Sequence, residues 1–92
     1  MVQLLAIQVT PPATEEAHIT AVRWYDPDTG QINIATTDVM VKFLTEQHGI
    51  AYMYNGRARA DVIATVGPGA HLSTSPGPPG TPRITLLSLP RF

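Results

Sequence analysis

Two tyrosines and two arginines, Tyr52, Tyr54, Arg57 and Arg59, flank the dipeptide Asn55-Gly56 in the stretch AYMYNGRARA. Aromatic rings beside guanidinium groups are the raw material of single-strand nucleic-acid platforms and of protein–protein hot spots. Asn-Gly between two β-like runs is a strong hairpin signal. With those two residues as the loop, Tyr54 faces Arg57, Met53 faces Ala58 and Tyr52 faces Arg59. Strand alternation then gathers Tyr52, Tyr54, Arg57 and Arg59 on one side as a candidate binding patch. Ala51, Met53, Ala58, Ala60 and Val62 fall on the other side as core packing. The patch also has a purely structural use, because cross-strand Tyr–Arg pairs stabilise a solvated face by about 0.2–1 kcal/mol each without binding anything. Nucleic-acid binding through two arginines of a near-neutral chain would be weak and steeply salt-sensitive.

Other arrangements with chemical potential give way to structural readings. Asp26-x-Asp28-x-Gly30 begins like a calcium loop, but Pro27 stands at its second position and Thr37 where the twelfth-position Glu is required. Turn chemistry is the better account. His18, His48 and His71 have no second ligand at metal spacing, so no metal site is expected. The Ser- and Thr-rich region 73–88 lacks a Gly-x-Ser-x-Gly elbow. Glu15, Glu16 and Glu46 are not spaced as an acid–base pair, and no Gly-rich phosphate loop precedes the helix. The expectation is a protein without catalytic residues, metal or cofactor, and not an enzyme.

The totals narrow the class of partner. Ninety-two residues make a single domain, 1–92. Only 14% of them are charged against 43% apolar, so some apolar area is expected to stay exposed and to favour self-association, as a homodimer or higher homo-oligomer, or a protein partner. A net charge of −1 provides no field to gather nucleic acid or an anionic membrane. The absence of cysteine fits a reducing compartment. Met1 to Val9 is apolar without a basic leader and too short to span a bilayer, and the expected location is cytoplasmic.

The elements that must position the patch follow from punctuation and periodicity. Residues 2–9 read as an N-terminal strand and 10–17 as a linker, since Pro11-Pro12 forbids helix and central strand; 18–92 form the core region. His18 to Tyr25 and Gln31 to Ala35 are strands joined by the turn Asp26-Pro27-Asp28-Thr29-Gly30. A helix is expected over about 38–48, with Val39, Met40, Phe43, Leu44 and Gln47 on one stripe and Gly49 as its left-handed cap. Ile50 to Tyr54 and Arg57 to Val66 form the hairpin. His71 to Thr74 and Arg83 to Leu89 are the closing strands. The fold class is α+β, a small mostly antiparallel sheet with a single helix, in the order β-ββ-α-ββ-β-β. The two apolar termini are the expected exposed strands. Ser75 to Arg83 contains two Pro-x-x-Pro spacings, but the basic residue follows the last proline directly and glycines interrupt the run, so it reads as a connector.

The motifs His18-Ile19-Thr20-Ala21-Val22-Arg23-Trp24, Gly49-x-Ala51-Tyr52, Leu72-Ser73-Thr74 and Leu86-Leu87-x-Leu89-Pro90, with a helix and hairpin between them, together resemble a family of small bacterial and phage domains of unknown function. The resemblance covers about 18–92. Ser73-Thr74 replaces the family's Arg-Thr pair, Ile84-Thr85-Leu86 replaces its Asp-Asn-Leu step, and the Pro-rich segment replaces a polar loop. It implies a compact domain with a structured C-terminal part, and no activity. The functional expectation is a non-catalytic protein-interaction domain, bacterial or phage-encoded and self-associating. The alternative is a weak nucleic-acid-binding module on the Tyr/Arg face.

Overall fold

The apolar run at the start of the chain, expected as an exposed strand, lies at the centre of the sheet. The structure is a computed structural model describing residues 1–67, 69–75, 79–80 and 84–92. Among these residues the strands are β1 (Val2–Val9), β2 (Ile19–Asp26), β3 (Gln31–Thr36), β4 (Ala51–Asn55), β5 (Ala58–Thr65) and β6 (His71–Thr74), with one α-helix, α1 (Thr37–Thr45), between β3 and β4. They form one sheet in the order β3-β2-β1-β4-β5-β6. All neighbours are antiparallel except β1 and β4. The class is therefore the expected α+β, a mostly antiparallel sheet with one helix. β1 is central because Val2, Leu4 and Ile7 are too apolar to be left at a margin, and all three are buried.

The turn between β2 and β3 forms as expected. Asp28 donates its N–H to Asp26 Oδ1 at 2.9 Å, and Gly30 takes φ 75° while its N–H bonds the Asp26 carbonyl. Thr36 caps α1 by accepting the Val39 N–H, and Thr37 ties its first turn to β2 by donating to the Ile19 carbonyl at 2.7 Å. The buried stripe is Thr37, Met40 and Val41, with Phe43 and Leu44 half-buried. Val39, expected on that stripe, is exposed because Val41 takes the inward direction in its place.

The helix stops at Thr45, short of the expected 48, and His48 rather than Gly49 adopts the left-handed φ, at 53°. Gly49 has a different reason to be glycine: a Cβ there would run into the Phe43 ring. The 10–17 linker is also shorter than expected, since Glu16–His18 is a 3₁₀ turn. His18 Nδ1 accepts the N–H groups of Thr14 and Glu15 there, both at 3.2 Å.

The expected last strand does not form over 84–89. Leu86–Ser88 is a 3₁₀ turn, and the three-residue spacing of Leu86 and Leu89 explains it: a 3₁₀ turn eclipses i and i+3, so both leucines point inward and are buried. The connector proposed for Ser75 to Arg83 lies mostly outside the described residues. Beyond it the chain runs from β6 back to β1. Thr74 Oγ1 donates to the Ile84 carbonyl, and Arg91 forms a parallel bridge with Ile7. One end of the sheet is thereby linked to its middle.

Candidate interaction surface

The Tyr/Arg patch forms, with one member missing and one added. The observed hairpin pairs Asn55 with Ala58, Tyr54 with Arg59, Met53 with Ala60 and Tyr52 with Asp61. The loop is thus Gly56-Arg57, a two-residue slip from the expected Asn55-Gly56. The reason lies in the backbone: a type I′ loop demands positive φ at both central residues, whereas a loop led by glycine demands it once. Gly56 meets that demand at φ 62°, and neither Asn55 nor Arg57 has to. A slip of two keeps every side chain on its expected face. Tyr52, Tyr54 and Arg59 still share one side, but Arg57 now sits in the loop and is not brought to them.

Within the patch the groups satisfy one another. The Arg59 guanidinium lies 4.3 Å from the centre of the Tyr52 ring, and Tyr54 meets that ring edge-on at 5.8 Å. Arg59 also pairs with Asp61 at 3.5 Å, on the same side of β5. Tyr52 is consequently buried, while Tyr54, Arg59 and Asp61 remain exposed. Sequence reasoning had no place for Asp61 in the patch, although strand alternation from Arg59 puts it there.

The same face extends to the other side of the molecule. Registers place Ile32, Tyr25, Gln3, Tyr52 and Asp61 in one row across β3, β2, β1, β4 and β5. Beside Tyr25 on β2, Arg23 stacks its guanidinium 4.8 Å over the Phe92 ring. At the end of the row Ile32 and Ile34 are 58% and 51% exposed, and β3 carries no charged residue.

The hydrogen-bonding direction of β3 follows from that of β1. In an antiparallel pair both backbone groups of a residue point to the same neighbour, and the direction alternates along the strand. Ile7 directs both groups to the C-terminal segment, its N–H to the Pro90 carbonyl at 2.9 Å and its carbonyl to the Phe92 N–H at 3.1 Å. Its opposition to Val22 is therefore a non-hydrogen-bonded pair, and Val22 turns its groups to Ala35 of β3. Ala35 and Asn33 then face β2, whereas Ile32 and Ile34 direct N–H and C=O away from the sheet. In agreement, the Ile34 N–H is met by the Asn33 side-chain oxygen, at 2.8 Å.

A second feature lies on the helix side, an open apolar cleft of about 300 Å³ walled by Trp24, Ala35, Val39 and Phe43. Its polar lining is Asp26 and Gln47, and Asp26 is already engaged in the β2–β3 turn. That is too few convergent polar groups to orient a small ligand.

No family model matches the chain, and no curated protein or solved structure matches it either. Among the described residues no three His, Cys, Asp or Glu side chains cluster as a metal site, and no helix is long and apolar enough to cross a membrane.

Proposed function

We propose that this chain is a non-catalytic protein-interaction domain that takes up a partner by strand addition at β3. One observation carries the reading: Ile32 and Ile34 present unladdered backbone groups and exposed apolar side chains along an uncharged edge. An edge of this kind is a template for another strand, whose main chain supplies affinity and whose side chains supply selectivity. The same face continues through the half-buried Tyr25 and Gln3 toward the exposed Tyr54, whose ring extends the contact face with aromatic surface. A bacterial or phage origin rests only on the family resemblance.

The test compares immobilised wild-type chain with the Ile34→Pro variant as baits in a host extract. Proline at this position removes an edge-facing donor and no bond to β2, a setting in which edge strands tolerate it. Proteins retained by the wild type and lost by the variant are expected. Identical retention by the two baits rejects β3 as the contact.

The nucleic-acid reading has less support. Asp61 places a carboxylate beside Arg59, and Arg57 stands off the ladder. A gel shift at low salt with wild type and the Arg57→Ala/Arg59→Ala double variant decides it: retardation by wild type at tens of micromolar that disappears in the variant would favour it over the protein contact.

A further inference from the structure

We infer that the occupant of the β3 edge is the β3 edge of a second copy of this chain, paired antiparallel about a two-fold axis through Asn33. The inference rests on the interaction reading above and specifies its partner.

A two-fold contact is isologous, so each residue must suit its own symmetry mate or that mate's neighbours. Centring the pair on Asn33 sets Ile32 opposite Ile34 of the second copy, and Ile34 opposite Ile32. These are the residues whose N–H and C=O point outward, so both rungs are hydrogen-bonded pairs exchanging both bonds. Asn33 meets its own mate as the non-hydrogen-bonded pair between them. Gln31 falls opposite Ala35, and no charge meets a like charge, because Gln31–Thr36 contains none.

The side chains suit the same register. Ile32 and Ile34 share a face, so four isoleucines from the two copies form one apolar strip, flanked on each side by Tyr25 and Arg23. β-branched pairs of this kind are among the favourable cross-strand contacts. Centring one residue later would set Ile32 against Thr36, whose side chain is already engaged in capping α1. The bond from Ile34 N–H to Asn33 Oδ1 is the monomer's provision for this donor, and pairing exchanges it for a ladder bond. One strand of six residues covers less than the ~1,200 Å² of a standard stable interface, so the dimer is transient, with a dissociation constant on the order of 100 µM.

The experiment combines sedimentation equilibrium with thiol crosslinking. Wild type at about 10 µM to about 1 mM is expected to pass from monomer to dimer, and Ile34→Pro, with an unchanged circular dichroism spectrum, to remain monomeric throughout. The chain has no cysteine, so single-cysteine variants report one contact each. Cα atoms of a non-hydrogen-bonded pair lie ~4.5 Å apart, within disulfide reach, so Asn33→Cys should crosslink under mild oxidation at least ~10 times faster than Asp28→Cys in the distant turn. Ile34→Cys should crosslink more slowly than Asn33→Cys. A monomer at every concentration, dimerisation unaffected by Ile34→Pro, or Asn33→Cys crosslinking no faster than the other two variants each overturn the inference. A monomeric wild type that still captures a host protein which Ile34→Pro loses would overturn the self-pairing alone and leave the interaction reading standing.

Discussion

The two ends of this sheet are treated in opposite ways. At β6, three residues of four are buried, and both faces are covered. Glu16 reaches in from the first 3₁₀ turn, its carboxylate accepting the Ser73 hydroxyl at 3.1 Å and the Leu86 N–H at 3.0 Å. The C-terminal segment continues the cover, and the Arg91 guanidinium steadies it by donating to the Leu87 and Leu89 carbonyls at 2.7 and 2.8 Å. At β3, five residues of six are exposed, and the outward Ile34 N–H is met by the Asn33 side-chain oxygen. An edge strand left bare is an aggregation hazard, which proteins ordinarily blunt with charge, proline or a covering segment. This chain applies the covering segment at one end and neither charge nor proline at the other. The contrast teaches where to look for a partner: stability is invested at β6 and availability at β3.

Mutations should separate the ends by size of effect. The largest belongs to Leu86 of the closing segment, which is completely buried. Leu86→Ala should cost about 3 kcal/mol in urea denaturation, through lost burial and the cavity left behind; a cost under about 1 kcal/mol would make the cover peripheral to the core. Glu16→Ala comes next, at about 2 kcal/mol, since it removes the carboxylate that accepts the Ser73 hydroxyl and the Leu86 N–H in a half-buried place. Hydrogen exchange should show the Leu86 amide losing protection in that variant. Phe92→Ala removes the ring under Arg23 and should cost about 1 kcal/mol in the same assay. The smallest change is Ile32→Ser at the open edge, within about 0.5 kcal/mol when measured at low micromolar concentration, where the monomer prevails. A loss at Ile32 comparable with that at Leu86 would erase the distinction between the ends.

Much of the local structure was legible. The Asp26–Gly30 turn, the helix after Thr36 and the central hairpin each depend on residues adjacent in sequence, and each formed. The face shared by Tyr52, Tyr54 and Arg59 was legible because strand alternation survives a slip of two. The loop itself was misread, since Asn-Gly favours type I′ and Gly56 alone suffices for the observed loop. The candidate edge was missed for a related reason. Gln31-Ile32-Asn33-Ile34 alternates as a half-buried strand should, and alternation cannot say that the apolar side faces solvent.

What the amino-acid order determined by itself is the six strands and the one helix that formed and the side of each strand on which a residue lies, because φ/ψ preferences, caps and period-2 alternation act within a few residues. The tertiary structure decided which strands are inside and which are at the margin. That choice depends on burial summed over the whole chain: β1 moved to the centre because its apolar faces had the most to bury, and Leu86 and Leu89 turned inward as a 3₁₀ cover instead of extending as a strand. With β6 covered and β1 enclosed, β3 was left as the open edge, and with it the surface proposed for a partner.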